Sequence, residues 1–364
     1  MKRGPGKSPT RGEGDLRKKR VTLKVLAEHL DLSPATVSIV LNDAPVAASI
    51  PRETKARIFA AAAALGYRPN HLARSLRRKR SFSVGVLVPE ISEGYAAGVM
   101  SGVEHHLIEE GYFYLVASHR SRPDLVDEYL RNLDDRSVEG FILVAAQLPR
   151  PPRLPTVAVA GHKRLDGVTN VVLDHDHAAR LALEHLAELG HERIAFFKGH
   201  PHSADTEDRW QAIVDAAGSL GLEVRPELTL QLAGNFTSGL FSAEEGYREG
   251  HAASRELLAR GVEFTALFAF NDISAIGAMR AFRDAGLQVP LDVSIVGFDD
   301  IQSAAFQNPS LTTVRQPLRE MGETAGRILL ERLAGNDAFP DFVTVEPELM
   351  VRASTAPAAV RAAA

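Results

Sequence analysis

The 364 residues include no cysteine, which excludes disulfides, thiolate metal sites and cysteine nucleophiles. Long apolar runs are also missing. The longest, "IFAAAAAL" and "FILVAA", are too short to span a bilayer. The first twenty residues, "MKRGPGKSPTRGEGDLRKKR", are basic but have no apolar core segment, so they do not read as a secretory signal, and a cytosolic protein is expected. Nucleophile-elbow, phosphate-loop and HExxH patterns are absent, so nothing recommends hydrolysis or phosphoryl transfer. No enzyme activity, cofactor or metal is expected. One more lack is local: "LSPATVSIVLN", Leu32 to Asn42, carries no charge at all, although basic segments stand on both sides of it.

What is present is ordinary globular material, 45% hydrophobic and 24% charged, enough for a sizeable core and, at this length, for two to three domains. The charge is divided unequally. Residues 1–80 hold 18 Lys and Arg against 6 Asp and Glu, a net of +12, whereas the remainder holds 24 against 40, a net of −16. Such asymmetry points to nucleic acid or another acidic surface as partner of the basic part. A basic tail without a ligand accounts for residues 1–20, rich in Gly, Pro and Ser, but not for the patterned residues after them.

Residues 21–65 are patterned as short helices. "LKVLAEHL" places Leu23, Leu26, Ala27 and Leu30 on one face. Ser33 suits an N-cap and Pro34 the first helical position, with Val37, Val40 and Leu41 facing inward. A loop then leads to a third helix, "RETKARIFAAAAALGY", which Gly66 can end. Helix, tight turn, helix is the plan of a helix-turn-helix reader, and Ala27 keeps the crossing close. The second helix would then present Ser33, Pro34, Ala35, Thr36 and Ser38, short enough to lie deep in a major groove. Hydroxyls can meet phosphate, while Ala, Pro and Ile39 can pack on thymine methyls, the flanking basic segments supplying affinity. A plain three-helix core segment remains the alternative.

From Ser81 the chain changes character. "FSVGVLVP" is a nearly continuous apolar run rich in β-branched valine, which suits a buried parallel strand. A helix (94–111), a strand "YFYLVA", a helix (124–136) and a strand "GFILVAA" follow. Further strands are expected at 155–159, 194–197, 266–270 and 294–298. The alternation argues for βαβ units, and its length for two α/β lobes with a ligand cleft between them.

The ordered set "VTLKVLAEHLDLSPATVSIVLN", "RPNHLARSL", "SVGVLVPEIS", "EEGYFYLVASHR", "SVEGFILV", "HLAELGHERIAFFKG", "TALFAFNDISAIGAMRAFRDAGLQVPLDVSIVGFDD" and "PSLTTVRQP" resembles the lactose/galactose repressor (LacI/GalR) family of bacterial transcription regulators over residues 21–355. The resemblance implies a basic tail (1–20), a helix-turn-helix domain (21–69), a hinge helix and linker (70–81), a two-lobed core like periplasmic sugar-binding proteins (82–356) and a C-terminal tail (357–364). It further implies dimers or dimers of dimers on a pseudo-palindromic double-stranded operator, a homodimer being expected here for want of leucine heptads. It also implies a small-molecule effector, a carbohydrate first and a nucleobase or nucleoside second, and no membrane partner. DNA contacts would fall on Thr22, Ser33, Pro34, Ala35, Thr36, Ser38, Ile39, Asn42, Asn70, Ala73 and Leu76. Leu76 would be the wedge that both subunits press into the minor groove, with Arg77, Arg78, Lys79 and Arg80 either holding phosphates or forming a solvated linker. Ile39 departs from the family, which usually has a long polar residue there, so the operator sequence does not carry over.

In the core, polar residues follow expected strands, where α/β folds place ligands. The resemblance makes Arg209, Asn271 and Asp299 effector contacts and Phe236 an aromatic platform. Asp299 or Asp300 could instead cap a turn, and Asn271-Asp272 a helix. Where some sugar-binding members carry an Asp after the strand "TVAV", this chain has Ala160-Gly161, so that contact is either lost or left to His162 or Lys163. "LDHDH", Asp174 to His177, looks like a metal cluster but reads better as a helix start capped by Asp174. The rival class is an α/β enzyme or solute-binding protein with an accessory helical domain.

Overall fold

The computed structural model of the chain describes residues 21–42, 45–67, 80–91, 94–201, 203–234 and 243–358. The chain divides into two compact units, Met1–Arg80 and Ser81–Ala364.

In the first unit, three short helices fold where caps permit. The Thr22 hydroxyl accepts the Val25 N–H at 3.3 Å and starts α1 (Leu23–Leu30). Asp31 then turns left-handed, φ 54°, with its N–H returning to Ala27 and Glu28. This stop leaves room for Ser33 to cap α2 (Pro34–Leu41), its hydroxyl taking the Thr36 N–H at 3.0 Å. A short 3-10 turn, Pro45–Ser49, where a plain loop was expected, precedes α3 (Arg52–Ala64). Leu26, Ala27, Val37, Val40 and Ile58 are buried together. Eight-residue helices are unstable alone, so this small apolar centre holds them.

The second unit holds two six-stranded sheets. The first runs in the order β11-β5-β4-β3-β1-β2 and contains β1 (Ser83–Val88), β2 (Phe113–Ser118), β3 (Gly140–Val144), β4 (Thr156–Val159), β5 (Val168–Leu173) and β11 (Phe342–Val345). The second runs β12-β10-β9-β8-β6-β7, with β6 (Ile194–Lys198), β7 (Thr229–Gln231), β8 (Ala266–Phe268), β9 (Ser294–Asp299), β10 (Thr312–Arg315) and β12 (Glu348–Met350). All pairings are parallel except β10 with β12. Helices α4 (Tyr95–Glu109), α5 (Pro123–Asp134) and α11 (Leu318–Leu333) pack on the first sheet. Around the second lie α6 (His175–Glu188), α7 (Thr206–Ser219), α8 (Ala243–Ala259), α9 (Asp272–Asp284) and the short α10 (Gln302–Ala305).

Both sheets place the second strand, then the first, third, fourth and fifth, so each lobe has a switch point where helices change faces. Such points open ligand crevices at the carboxyl ends of the strands. The chain passes between lobes three times, after β5, after β10 and after β11. The first passage carries Asp174, which caps α6 by accepting the His177 N–H at 2.8 Å, as the sequence suggested. The second carries Gln316. Helices α4 and α11 approach so closely that a Cβ on Gly102 would lie 1.9 Å from the Arg319 carbonyl oxygen, and one on Gly322 2.0 Å from that of Val99. Only glycine tolerates this approach, and it ties the middle of α4 to the first turns of α11, which follows the second passage.

Candidate ligand site and nucleic-acid face

The two sheets aim their strand ends at one cavity of about 90 Å³. Pro89 and Glu90 follow β1, Ala145 follows β3 and Ala160 follows β4; opposite them, His200 follows β6, Phe270 and Asn271 follow β8, and Asp299 ends β9. Nine non-glycine residues among those described have positive φ, and four of them, Ser121, Ala145, Ala160 and Asp299, line this cavity. Left-handed backbone is costly for such residues and concentrates where side chains are held for function. Asp299, at φ 112°, is the most displaced.

Arg209 stands at the centre, in the first turn of α7 rather than at its start, and is 4% exposed. Its Nη1 donates to the Phe270 carbonyl at 2.8 Å and its Nη2 to the Asp205 carboxylate one turn earlier. The guanidinium lies 4.5 Å from the Phe270 ring centre and 3.9 Å from that of Phe298, a desolvated cation against aromatic faces. Burial alone would raise Asp205, but Arg209, His175 and the Ser203 hydroxyl outweigh it and hold the carboxyl well below the usual range. For Asp299 the balance goes the other way. Burial pushes it up, Arg209 and the Gln316 amide donating at 2.6 Å oppose, and the result is about 7. Burial likewise pushes His175 down to about 3, so its ring is neutral at physiological pH.

The polar atoms around this centre are not all satisfied. Seven buried side-chain nitrogens and oxygens lack a hydrogen-bond partner among the described residues. Four belong to this cluster: Tyr95 Oη, His162 Nε2, His175 Nδ1 and Arg209 Nε. The His162 and His175 rings are 5.2 Å apart across the lobes, and Tyr95 and His175 both feel the charges of Arg209 and Asp205. A buried unpaired polar group costs about 1–3 kcal/mol; of the four residues, Tyr95 and Arg209 line the cavity, and the His162 and His175 rings lie behind it.

The structure brings Arg209, Asn271 and Asp299 together, but with different employment. Asn271 caps α9, its Oδ1 accepting the Ser274 N–H at 2.9 Å in a capping box, so one end of its amide is already engaged. Asp272 is buried behind it, accepting the Ile301 N–H at 2.9 Å and the Thr313 hydroxyl, and burial raises it well above the usual carboxylate range. Asp300 bridges Arg315 and Arg352 and does not enter the cavity lining. At Gly161 a Cβ would come within 2.6 Å of the Asn170 side-chain oxygen, which explains the bare position there. Lys163 turns to the Pro149 carbonyl at 3.3 Å. Phe236 lies outside the described residues; the rings seen against the guanidinium are Phe270 and Phe298. Sequence reasoning missed Tyr95, Asp205, His175 and Gln316. Only Asp205 left a usable trace, its four-residue spacing from Arg209.

Because Asp299 binds its proton more tightly folded than unfolded, its contribution to stability is present below pH 4 and is lost as pH rises through about 7. Asp299→Asn should therefore gain thermal stability relative to wild type between pH 4 and 7. Melting curves across that range test this, and parallel profiles for the two proteins would refute it.

On the N-terminal unit, Ser33, Pro34 and Ala35 of the second helix are exposed and Thr36, Ser38, Ile39 and Asn42 half-buried. The Ser33 hydroxyl also meets that of Thr36 at 2.8 Å, and the Asn42 amide donates to the Ser38 carbonyl at 2.7 Å. Small residues thus form a smooth, uncharged helix surface. Asn70, Ala73, Leu76 and Arg77 to Lys79 lie outside the described residues.

A three-helix nucleic-acid reader joined to a two-lobed ligand-binding core defines a ligand-responsive transcription regulator. Known proteins agree. The family of bacterial regulatory proteins of the lacI type matches residues 22–70, and the periplasmic binding protein-like domain matches residues 183–355. The HTH-type transcriptional repressor PurR of Mannheimia succiniciproducens is 30% identical over 342 residues, covering 92% of this chain and 98% of that protein. A lac repressor dimer bound to operator and an anti-inducer superposes with a TM-score of 0.80 at 26% identity, over 93% of this chain and 100% of that one. A complex of the transcriptional regulator CelR with cellobiose superposes at 0.65 with 30% identity, over 92% and 100%. The chain belongs to the LacI family: it is a DNA-binding regulator of the repressor type whose core binds a small effector.

Proposed function

We propose that the effector is a carbohydrate, held by Arg209, Asp205 and Asp299 with Tyr95 and Asn271, and bordered by the His175 and His162 rings. The observation that carries this is the convergence of four unpaired buried polar atoms on one charge cluster. They comprise a guanidinium donor, two ring nitrogens and a phenol, a mixture of donors and acceptors that suits vicinal hydroxyls, each of which both donates and accepts. The inner charges nearly cancel, since Arg209 is matched by ionised Asp205 while Asp272 and Asp299 are pushed toward their protonated forms. A neutral polyol fits such a site better than an ion. Among the solved relatives, CelR is in complex with cellobiose and a LacI-family regulator from Enterococcus faecium has bound ribose.

The protein acts as a cytoplasmic homodimer on a pseudo-palindromic operator, and it is not an enzyme. Thr22, Ser33 to Thr36, Ser38, Ile39 and Asn42 contact DNA in the major groove, while Asn70, Ala73 and Leu76 belong to a hinge that enters the minor groove. Ligand in the cavity alters the angle between the lobes, and the hinge segments of the two subunits follow. Coupling of this kind is reciprocal: DNA must change effector affinity by the same factor. A gel shift with the full chain on DNA upstream of its own gene, with monosaccharides, disaccharides and purines added in turn, is the test. A sugar-dependent change in affinity is expected. A response to purines alone would reject the carbohydrate, and no response to any small molecule would reject the effector site itself.

A further inference from the structure

The inner cavity is small. At about 90 Å³ it falls below the roughly 300–1,000 Å³ usual for ligand sites. Beside it lies a second pocket of about 520 Å³. The two are neighbours residue by residue. Ala145 and Ala160 line the inner cavity, and the residues that follow them, Ala146 and Gly161, line the outer one. On the opposite lobe Asp205 and Arg209 face inward, while Ala204 and Asp208, each one residue earlier, face the outer pocket.

The shared wall is kept low. It consists of alanines and of Gly161, where any side chain would strike Asn170 and Ala158. On this side a ligand anchored on Arg209 and reaching toward the outer pocket meets only the small residues Ala145, Ala146, Ala160 and Gly161. The outer pocket is also equipped to hold what arrives. Leu148, Pro149 and Leu165 offer aliphatic surface. His162 has a buried Nε2 with no partner, and its Nδ1 lies 3.8 Å from the Asp208 carboxylate of the facing lobe. Aliphatic patches for C–H faces beside polar groups for hydroxyl edges are what a second sugar ring requires.

We infer that the effector is a two-unit glycoside of disaccharide size, one ring on the Arg209 cluster and the other in the outer pocket against His162 and Asp208. This rests on the carbohydrate reading above and specifies its size. The test is calorimetric titration of the full chain with glucose and galactose, and with cellobiose, maltose and lactose, which contain the same units joined. A disaccharide should bind at least about tenfold more tightly than either of its parts, a difference of about 1.4 kcal/mol.

Gln147, exposed at the rim of the outer pocket, offers a way to fill it without disturbing the core. Gln147→Trp should weaken the disaccharide by about tenfold or more, and Asp208→Ala by several-fold, with monosaccharide affinity unchanged in both. Equal affinity for a disaccharide and its monosaccharide overturns the inference while leaving the effector site in place, as does a disaccharide that neither substitution weakens. If no sugar binds and Arg209→Met alters no response to any metabolite, both the inference and the reading beneath it fail.

Discussion

Raising salt from about 50 mM to about 200 mM should weaken the protein's hold on DNA by about a thousandfold to a hundred-thousandfold, the range for six to ten phosphate contacts. The reason lies in how charge is distributed. The reading helix has none: α2 presents Ser33, Pro34, Ala35 and Ile39, and its caps use the hydroxyls that are there. In the proposed docking its contacts would supply shape and specificity, with little Coulomb attraction. Residues 1–80 nevertheless carry a net of +12, and the proposed reading assigns the attraction to the segments flanking the helix, Arg77, Arg78, Lys79 and Arg80 among them. Counterion release then governs affinity, and log K against log salt should be steep and linear. Replacing those four residues by Gln should flatten the slope by up to about 0.9 for each phosphate no longer neutralised, with sequence preference kept. Filter binding or fluorescence anisotropy over a salt series reads both effects. A flat salt dependence would refute the assignment of affinity to the basic segments.

The same division of labour explains what could be read from the sequence. Caps and periodicity are local, so α1, α2 and their turn were visible in Thr22, Ser33, Pro34 and the apolar face from Leu23 to Leu30. Central strands such as β1 and β3 are buried on both faces and therefore read as unbroken apolar runs. Strands outside that pattern were missed. β5 carries Asn170, buried because its amide donates to the Lys163 and Asp341 carbonyls, and β10, β11 and β12 are three or four residues long with polar members. The three passages between lobes are tertiary facts. Nothing in "TTVRQPLREM" says that β10 belongs to one sheet and α11 to the other lobe.

The site divides in a similar way. Asn271 and Asp299 sit at strand ends, where the fold rule finds them, and Arg209 in the first turn of the helix after β6. Tyr95 comes from the first lobe yet feels the charges of Asp205, Asp299 and Arg209 of the second, and the His162 and His175 rings meet because the lobes face each other. "LDHDH" drew attention as a metal pattern. The geometry uses Asp174 as a cap and sends His175 toward His162, a pairing that spacing along the chain does not encode.

Arg209→Ala should destabilise the core by about 3–5 kcal/mol, the usual cost of removing one partner from a buried ion pair. Three losses combine. The Asp205 carboxylate, 6% exposed, would stay in the interior without the cation that keeps it ionised. The Phe270 carbonyl would lose its donor, and the faces of Phe270 and Phe298 the group packed on them. Asp299 would lose the charge that opposes its burial, so its carboxyl should rise further. Chemical denaturation of wild type and Arg209→Ala at pH 7 measures the loss. Arg209→Ala with Asp205→Asn separates the causes: if the stranded carboxylate dominates, the double variant should recover much of the deficit, because a neutral amide needs no cation. A double variant as unstable as the single one would assign the cost to lost packing instead. Arg209→Lys should recover charge but not geometry, since an ammonium cannot serve Asp205 and the Phe270 carbonyl from one plane while lying flat on two rings. Effector response in that variant should fall although its fold persists, which distinguishes a guanidinium that orders the ligand site from one that merely neutralises it.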